Sequence, residues 1–166
     1  IESTQWKNIG GTEYLISANL NTFKKLQGIV VQDKVYATEL PSPTSLFSPS
    51  SIMNDQLIFD SKYKSQIRFK DYDMATGNLE GVQLANNVMK SYVWGYNSIY
   101  PIAEFVGANR TEVFHSSFED SSGTVGESPT GDKYYNNTSY TIPVANRPTG
   151  TNLVMTYWYY DGSWKF

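Results

Sequence analysis

The sequence predicts an all-β protein, and three observations carry that prediction. Apolar residues recur with a period of two, while the three-to-four spacing of an amphipathic helix is almost absent. Aromatic residues make up 15% of the chain and 13 of them are tyrosines, side chains whose flat faces suit a pleated surface. Short polar signals such as Gly77-Asn78 and Asn86-Asn87 separate the alternating runs, as hairpin turns require.

Taken in order, residues 13–20 and 27–37 read as strands, with Asn19-Leu20-Asn21-Thr22 as the turn or connection between them. Residues 41–54 hold Pro41, Pro43 and Pro49 among several serines. That composition withholds backbone donors and predicts a long surface loop. In the strand expected over 62–72, Tyr63, Ile67 and Phe69 fall on one side and Lys62, Lys64, Gln66, Arg68 and Lys70 on the other. One face is therefore buried and one wet. Tyr72-Asp73 closes this strand and Gly77-Asn78 turns the chain into the next.

Residues 79–85 and 88–96 flank Asn86-Asn87, whose side chains tolerate the left-handed backbone of a tight hairpin. On the second of these strands Val88, Tyr92, Trp94 and Tyr96 share a face, interrupted by Lys90, and predict an aromatic ladder. At Gly107-Ala108-Asn109-Arg110 the texture changes, and a stretch rich in glycine and serine follows to Gly131. A domain boundary is expected near 110, giving a hairpin region over 1–109 and a second module over 110–166. Within the second, 139–144 and 152–160 read as strands, the latter apolar on both faces. Three or so strands bury too little surface for an independent sandwich, so 110–166 reads as the opening part of a larger one.

Charge narrows the function classes. With 13 basic and 16 acidic residues the net charge is −3, which offers no attraction to nucleic acid or anionic lipid. No apolar run approaches the roughly 20 residues that cross a bilayer, so membrane insertion is not expected. Ile1-Glu2-Ser3-Thr4 has no signal-peptide character, and a secretion signal would lie upstream. Without cysteine there are no disulfides or thiolate metal sites.

Catalytic constellations are equally scarce. His115 is the single histidine, and no Gly-x-Ser-x-Gly elbow, phosphate-binding loop or His-Glu-x-x-His pattern occurs. His115 reads as an ordinary strand residue. Asp71 and Asp73, two apart on a strand, point to one face. Near a turn such carboxylates more often accept backbone amides than share acid–base work. The sequence is therefore expected to be non-enzymatic.

Residues 12–108 resemble the cell-surface Rhs/YD-repeat proteins of Bacteroidetes. The resemblance rests on Tyr72, Asp73, Gly77 and Asn78, and on the block from Tyr92 to Ala103 that contains Trp94, Gly95, Tyr96 and Asn97. Met74-Ala75-Thr76 places one residue more than the usual spacing between the Tyr-Asp pair and the Gly-Asn turn, an insertion that a bulged turn would absorb. The resemblance implies hairpins wound into a spiralling sheet that closes as a shell around a cargo polypeptide. It also implies export through the type 9 secretion system to the outer cell surface or the medium. The partners would be other hairpins of the same large polypeptide or a separate protein chain.

The segment from Val113 through Tyr134 is similar to the start of a jelly-roll carbohydrate-binding-like module, on Phe118-Glu119 and on Thr130-Gly131 with Tyr134. In such modules these motifs gather oxygens around a structural calcium ion, which takes six to eight hard ligands. Glu119, Asp120 and Asp132 are the implied ligands. Among the exposed-aromatic candidates, Trp158 and Trp164 are those expected to present a flat face to a sugar ring. The expected function is thus a structural segment of a large secreted surface protein. A calcium-stabilised carbohydrate-binding module, with polysaccharide as partner, is the alternative.

Overall fold

A computed structural model describes residues 1–119, 123–137, 139–150 and 152–166, and it is all-β as the sequence predicts. Seven strands, β1 (Glu2–Ile9), β2 (Thr12–Leu26), β3 (Ile29–Thr38), β6 (Tyr63–Tyr72), β7 (Leu79–Leu84), β8 (Met89–Gly95) and β9 (Tyr100–Val106), form one antiparallel sheet in that order. Three two-stranded ribbons accompany it: β4 (Ser51–Met53) with β5 (Gln56–Ile58), β10 (Thr124–Ser128) with β11 (Gly131–Tyr134), and β12 (Tyr159–Tyr160) with β13 (Trp164–Lys165). The chain divides into two compact units, Ile1–Met89 and Lys90–Phe166. No helix among the described residues is long and apolar enough to cross a membrane.

In the first unit, Ile1–Met89, the core is built where the proline-rich connection folds back over the sheet. Leu15, Ala18, Leu20 and Tyr63 are buried, and Tyr36, Leu40, Phe47 and Phe59 pack against them. Tyr63 meets Phe47 and Phe59 edge-on at 5.8 and 5.9 Å, and Trp6 meets Phe47 at 6.0 Å. Such tilted and edge-on pairs add to the area they bury. Two backbone bonds tie the connection to β2, Leu15 N–H to the Thr44 carbonyl at 2.7 Å and Thr44 N–H to the Leu15 carbonyl at 3.1 Å.

A polar latch completes the attachment. The Glu2 carboxylate accepts the Ser50 N–H at 3.0 Å, the Ser50 hydroxyl at 2.9 Å and the Tyr63 hydroxyl at 2.7 Å. Burial and the Glu2 carboxylate together push the Tyr63 phenol well up from its ordinary value. Asp60 accepts the Lys62 and Ser48 N–H groups at 2.9 and 3.0 Å. Those bonds, chiefly the one from Lys62, hold its carboxyl below the usual carboxylate range. The 41–54 segment is thus a loop in path, but it carries Phe47 into the core, and its last residues enter β4.

Two sequence expectations for this unit are corrected. Asn19-Leu20-Asn21-Thr22 is not a turn: β2 runs unbroken through it, with Leu20 buried opposite Tyr36 and Asn21 paired with Val35. The asparagines are accommodated because the Asn21 side chain accepts the Gln32 amide at 3.1 Å. The chain reverses at Gln27 and Gly28 instead, both left-handed at φ 45° and 96°, as a tight hairpin demands. Strand β1 has no counterpart in the sequence reading. Seven of its eight residues are exposed, so it has no buried face to produce an apolar alternation.

The Tyr72-Asp73 and Gly77-Asn78 signals do close a hairpin. Asp73 N–H donates to the Asn78 carbonyl and Gly77 N–H to the Asp73 carbonyl, each at 2.8 Å, with Gly77 at φ 76°. The Asp73 carboxylate accepts the Ala75 N–H at 2.8 Å, and the turn amides, Ala75 first, hold it below the usual range. The irregular register lies in β6, on either side of Asp71, and not in the turn itself.

In the second unit, Lys90–Phe166, the expected aromatic ladder is replaced by a different face. The buried residues of β8 are Ser91 and Val93, whereas Lys90, Tyr92 and Trp94 lie half-buried. Lys90 is paired with Glu104 of β9 at 2.9 Å. Tyr96 is not on the strand. Tyr96, Asn97 and Ser98 are all left-handed, at φ 51°, 58° and 64°, and form the β8–β9 turn, where Tyr96 meets Tyr100 at 6.2 Å.

The strands expected over 139–144 and 152–160 are largely absent. Val144–Asn146 is a short 3-10 turn and only Tyr159–Tyr160 pairs, with Trp164–Lys165. Nor is the apolar run covered on both sides, since Leu153, Val154 and Met155 are 59, 93 and 77% exposed. Alternation produces a strand only where a second strand supplies hydrogen bonds and a face to pack on.

Candidate functional site

The second unit contains an open basin of about 1240 Å³. Two ribbons build its aromatic wall. From β11 comes Tyr134; from β12, β13 and their flanks come Tyr157, Trp158, Tyr159, Tyr160, Trp164 and Phe166. Trp164 lies between Tyr134 and Tyr160, with ring centres 6.0 and 5.5 Å away, and Trp158 lies 5.1 Å from Phe166. Trp158 is 45% exposed and Trp164 is half-buried. Polar groups share the lining, among them Glu127, Lys133, Asn136 and Asn137.

Close packing behind Tyr134 fixes its ring. A Cβ placed on Gly126 would come within 2.6 Å of the Tyr134 ring, so the ring lies directly against glycine backbone. Lys133 is fixed too: its N–H donates to the Glu119 carboxylate at 2.9 Å and its ammonium donates to the Glu119 carbonyl at 2.8 Å.

A second cavity of about 330 Å³ shares the segment from His115 to Phe118 with the first as lining. Trp94, Ile102, Phe114 and Tyr140 form its apolar wall, and Arg110, Ser117 and Asn146 are among its polar groups. The shared segment is held by a knot of rings. Phe118 stacks on Tyr135 at 5.2 Å and meets Tyr140 edge-on at 5.1 Å, while Tyr140 also meets Tyr135 at 5.0 Å and Phe114 at 6.2 Å. Phe118 is left-handed at φ 61°, a conformation that costs a bulky residue about 1–3 kcal/mol and persists only where its surroundings enforce it. Burial alone holds His115 below the usual histidine range, so it is neutral at pH 7.

Trp158 and Trp164 are brought to one basin. Glu119 and Asp132 fall on the approach to and within the β10–β11 ribbon, but the Glu119 carboxylate is engaged by the Lys133 N–H, and Asp120 lies outside the described residues. Among the described residues no three histidine or acidic side chains gather as an ion's ligands. Asp71 faces Gly81, where an added Cβ would meet its carboxylate at 2.6 Å, and Asp73 is occupied by turn amides.

Sequence reasoning singled out Tyr135 and Tyr140 among the aromatics that could face a sugar, but missed Phe118 and Phe166 as site-forming rings. The one signal available was the density of aromatics itself. Comparison with protein-family models, with curated proteins and with solved structures finds no match.

Proposed function

We propose that this chain is a non-enzymatic recognition segment whose second unit binds a polysaccharide chain on the aromatic basin. The observation that carries the reading is the clustering of Trp158, Trp164, Tyr134 and Phe166 around one open, polar-rimmed cavity. Binding sites of this kind combine apolar and aromatic walls with a few polar groups that fix orientation. A pyranose ring fits that description, with C–H faces to lay on Trp158 or Trp164 and hydroxyls to bond Asn136, Asn137 or Glu127. Sugar binding by these groups requires no ion.

A second reading is favoured by a separate observation. The strands β6, β7, β8 and β9 are consecutive in sequence and adjacent in the sheet, and the first of their turns is the Tyr72-Asp73 and Gly77-Asn78 closure. A chain of such hairpins suits an architectural segment of a larger extracellular or cell-surface protein, exported by the type 9 route that the motif resemblance implies. The sheet's edge strands, β1 and β9, would then pair with neighbouring hairpins or a partner chain.

Calorimetric titration against soluble glucan, xylan and mannan separates the two. Binding heat that falls at least about tenfold in affinity on Trp158→Ala or Trp164→Ala, as loss of a central aromatic anchor does, supports recognition. Absence of heat with every polysaccharide leaves the architectural reading standing alone.

A further inference from the structure

We infer that the basin and the smaller cavity are two subsites of one elongated site, and that the ligand is an oligosaccharide long enough to cross the ridge between them. The inference rests on the polysaccharide reading above and specifies which form of that ligand binds best.

Three features point to it. The same four residues, His115, Ser116, Ser117 and Phe118, line both cavities, so the two cavities meet along one short stretch of chain. The ridge is not sealed: all four of its residues are partly exposed, and Ser116 and Ser117 line both cavities, the Ser116 hydroxyl accepting the Phe118 N–H at 3.2 Å. Each side of the ridge ends in aromatic faces, Trp94, Phe114 and Tyr140 on one and Trp158, Trp164 and Tyr134 on the other.

The backbone at the ridge supports the same conclusion. Phe118 adopts a left-handed conformation and is held by Tyr135 and Tyr140 at 5.2 and 5.1 Å. Strained residues of this kind cluster where a binding surface must be kept in shape before the ligand arrives. A rigid ridge lets a chain ligand engage both sides without reordering the protein, which limits the ordering cost of association.

The test is affinity against chain length, measured calorimetrically with purified glucan, xylan and mannan oligomers from the monosaccharide to the hexasaccharide. The unaltered protein is compared with Asn146→Trp, which places a bulky ring in the smaller cavity from an exposed position, and with Trp158→Ala in the basin. Circular dichroism checks that both variants keep the β signature. The expected result is affinity that rises at least about tenfold once the ligand is long enough to reach the second set of aromatic faces, the gain a second anchored ring brings. Asn146→Trp removes that rise and leaves the shortest ligands unaffected, whereas Trp158→Ala weakens every length. Affinity that stays flat with length, or a rise untouched by Asn146→Trp, overturns the two-subsite inference while Trp158 sensitivity still upholds the basin. Silence from all three series overturns both.

Discussion

Replacing Glu2 by alanine should loosen the proline-rich connection from the sheet of the first unit. The Glu2 carboxylate receives the Tyr63 hydroxyl at 2.7 Å and two donors from Ser50 at 2.9 and 3.0 Å. Tyr63 is only 5% exposed, so its hydroxyl finds little water once Glu2 is gone. A hydrogen bond to a charged acceptor contributes about 1.5–3 kcal/mol, and the partly exposed Ser50 pair adds about 0.5–1 kcal/mol. Glu2→Ala is therefore expected to destabilise by about 2–4 kcal/mol.

Tyr63→Phe removes only the first of these bonds and leaves Glu2 its Ser50 partners. It should cost about 1.5 kcal/mol, the lower end of the range for a hydrogen bond to a charged acceptor. Because both variants break the same contact, the double variant should resemble Glu2→Ala alone, with a coupling energy of about 1–2 kcal/mol, within the range found for residues in direct contact. Urea unfolding followed by circular dichroism reads these differences as midpoint shifts at constant slope. The reasoning fails if Glu2→Ala costs less than about 0.5 kcal/mol, the level of an ordinary surface substitution, or if the two single effects simply add.

Three further outcomes are expected. Asp60 is held below the usual carboxylate range by the Lys62 and Ser48 amides, so its folded pKa lies below the unfolded value near 3.8. Its stabilising effect is complete above that value and is lost as pH falls through the lower folded one. Asp60→Asn should lower stability by a constant amount at neutral and alkaline pH and flatten the acid arm of the profile below about pH 4, so that the two proteins converge at low pH. Gly77 is left-handed at φ 76°, and Gly77→Ala should cost about 1–2 kcal/mol of strain; a chemical-denaturation midpoint equal to that of the unaltered protein would refute the turn geometry. Gly126→Ala places a methyl group 2.6 Å from the Tyr134 ring, so it should push that ring into the basin and weaken sugar binding while leaving the first unit's unfolding midpoint unaltered.

How much of this was legible beforehand differs from element to element. The β6–β7 hairpin was readable because its turn chemistry is local: Asp73 caps its own following amides and Gly77 supplies the positive φ. Strand β6 was readable because Tyr63, Ile67 and Phe69 alternate with charged residues. The β2–β3 turn was misplaced because two asparagines outweighed a single Gln-Gly step in the composition, although Leu20 between them is buried. Strand β1 was missed because its role is to cap an edge of the sheet, which leaves no period in its sequence. The apolar run at 152–160 misled in the opposite sense, offering alternation without a neighbour to pair with.

Sequence by itself determined the β class, the hairpin at Tyr72-Asp73 and Gly77-Asn78, and the aromatic wealth of the last third of the chain. All three depend on residues near one another along the backbone, where period and turn chemistry act directly. Only the tertiary structure decided that Phe47 and Tyr63 share a core, that Glu2 latches Ser50 and that Trp158, Trp164 and Tyr134 surround one basin. The residues in each of these groupings meet through side-chain contacts that connections and separate ribbons bring together, and no local pattern along the chain encodes those contacts.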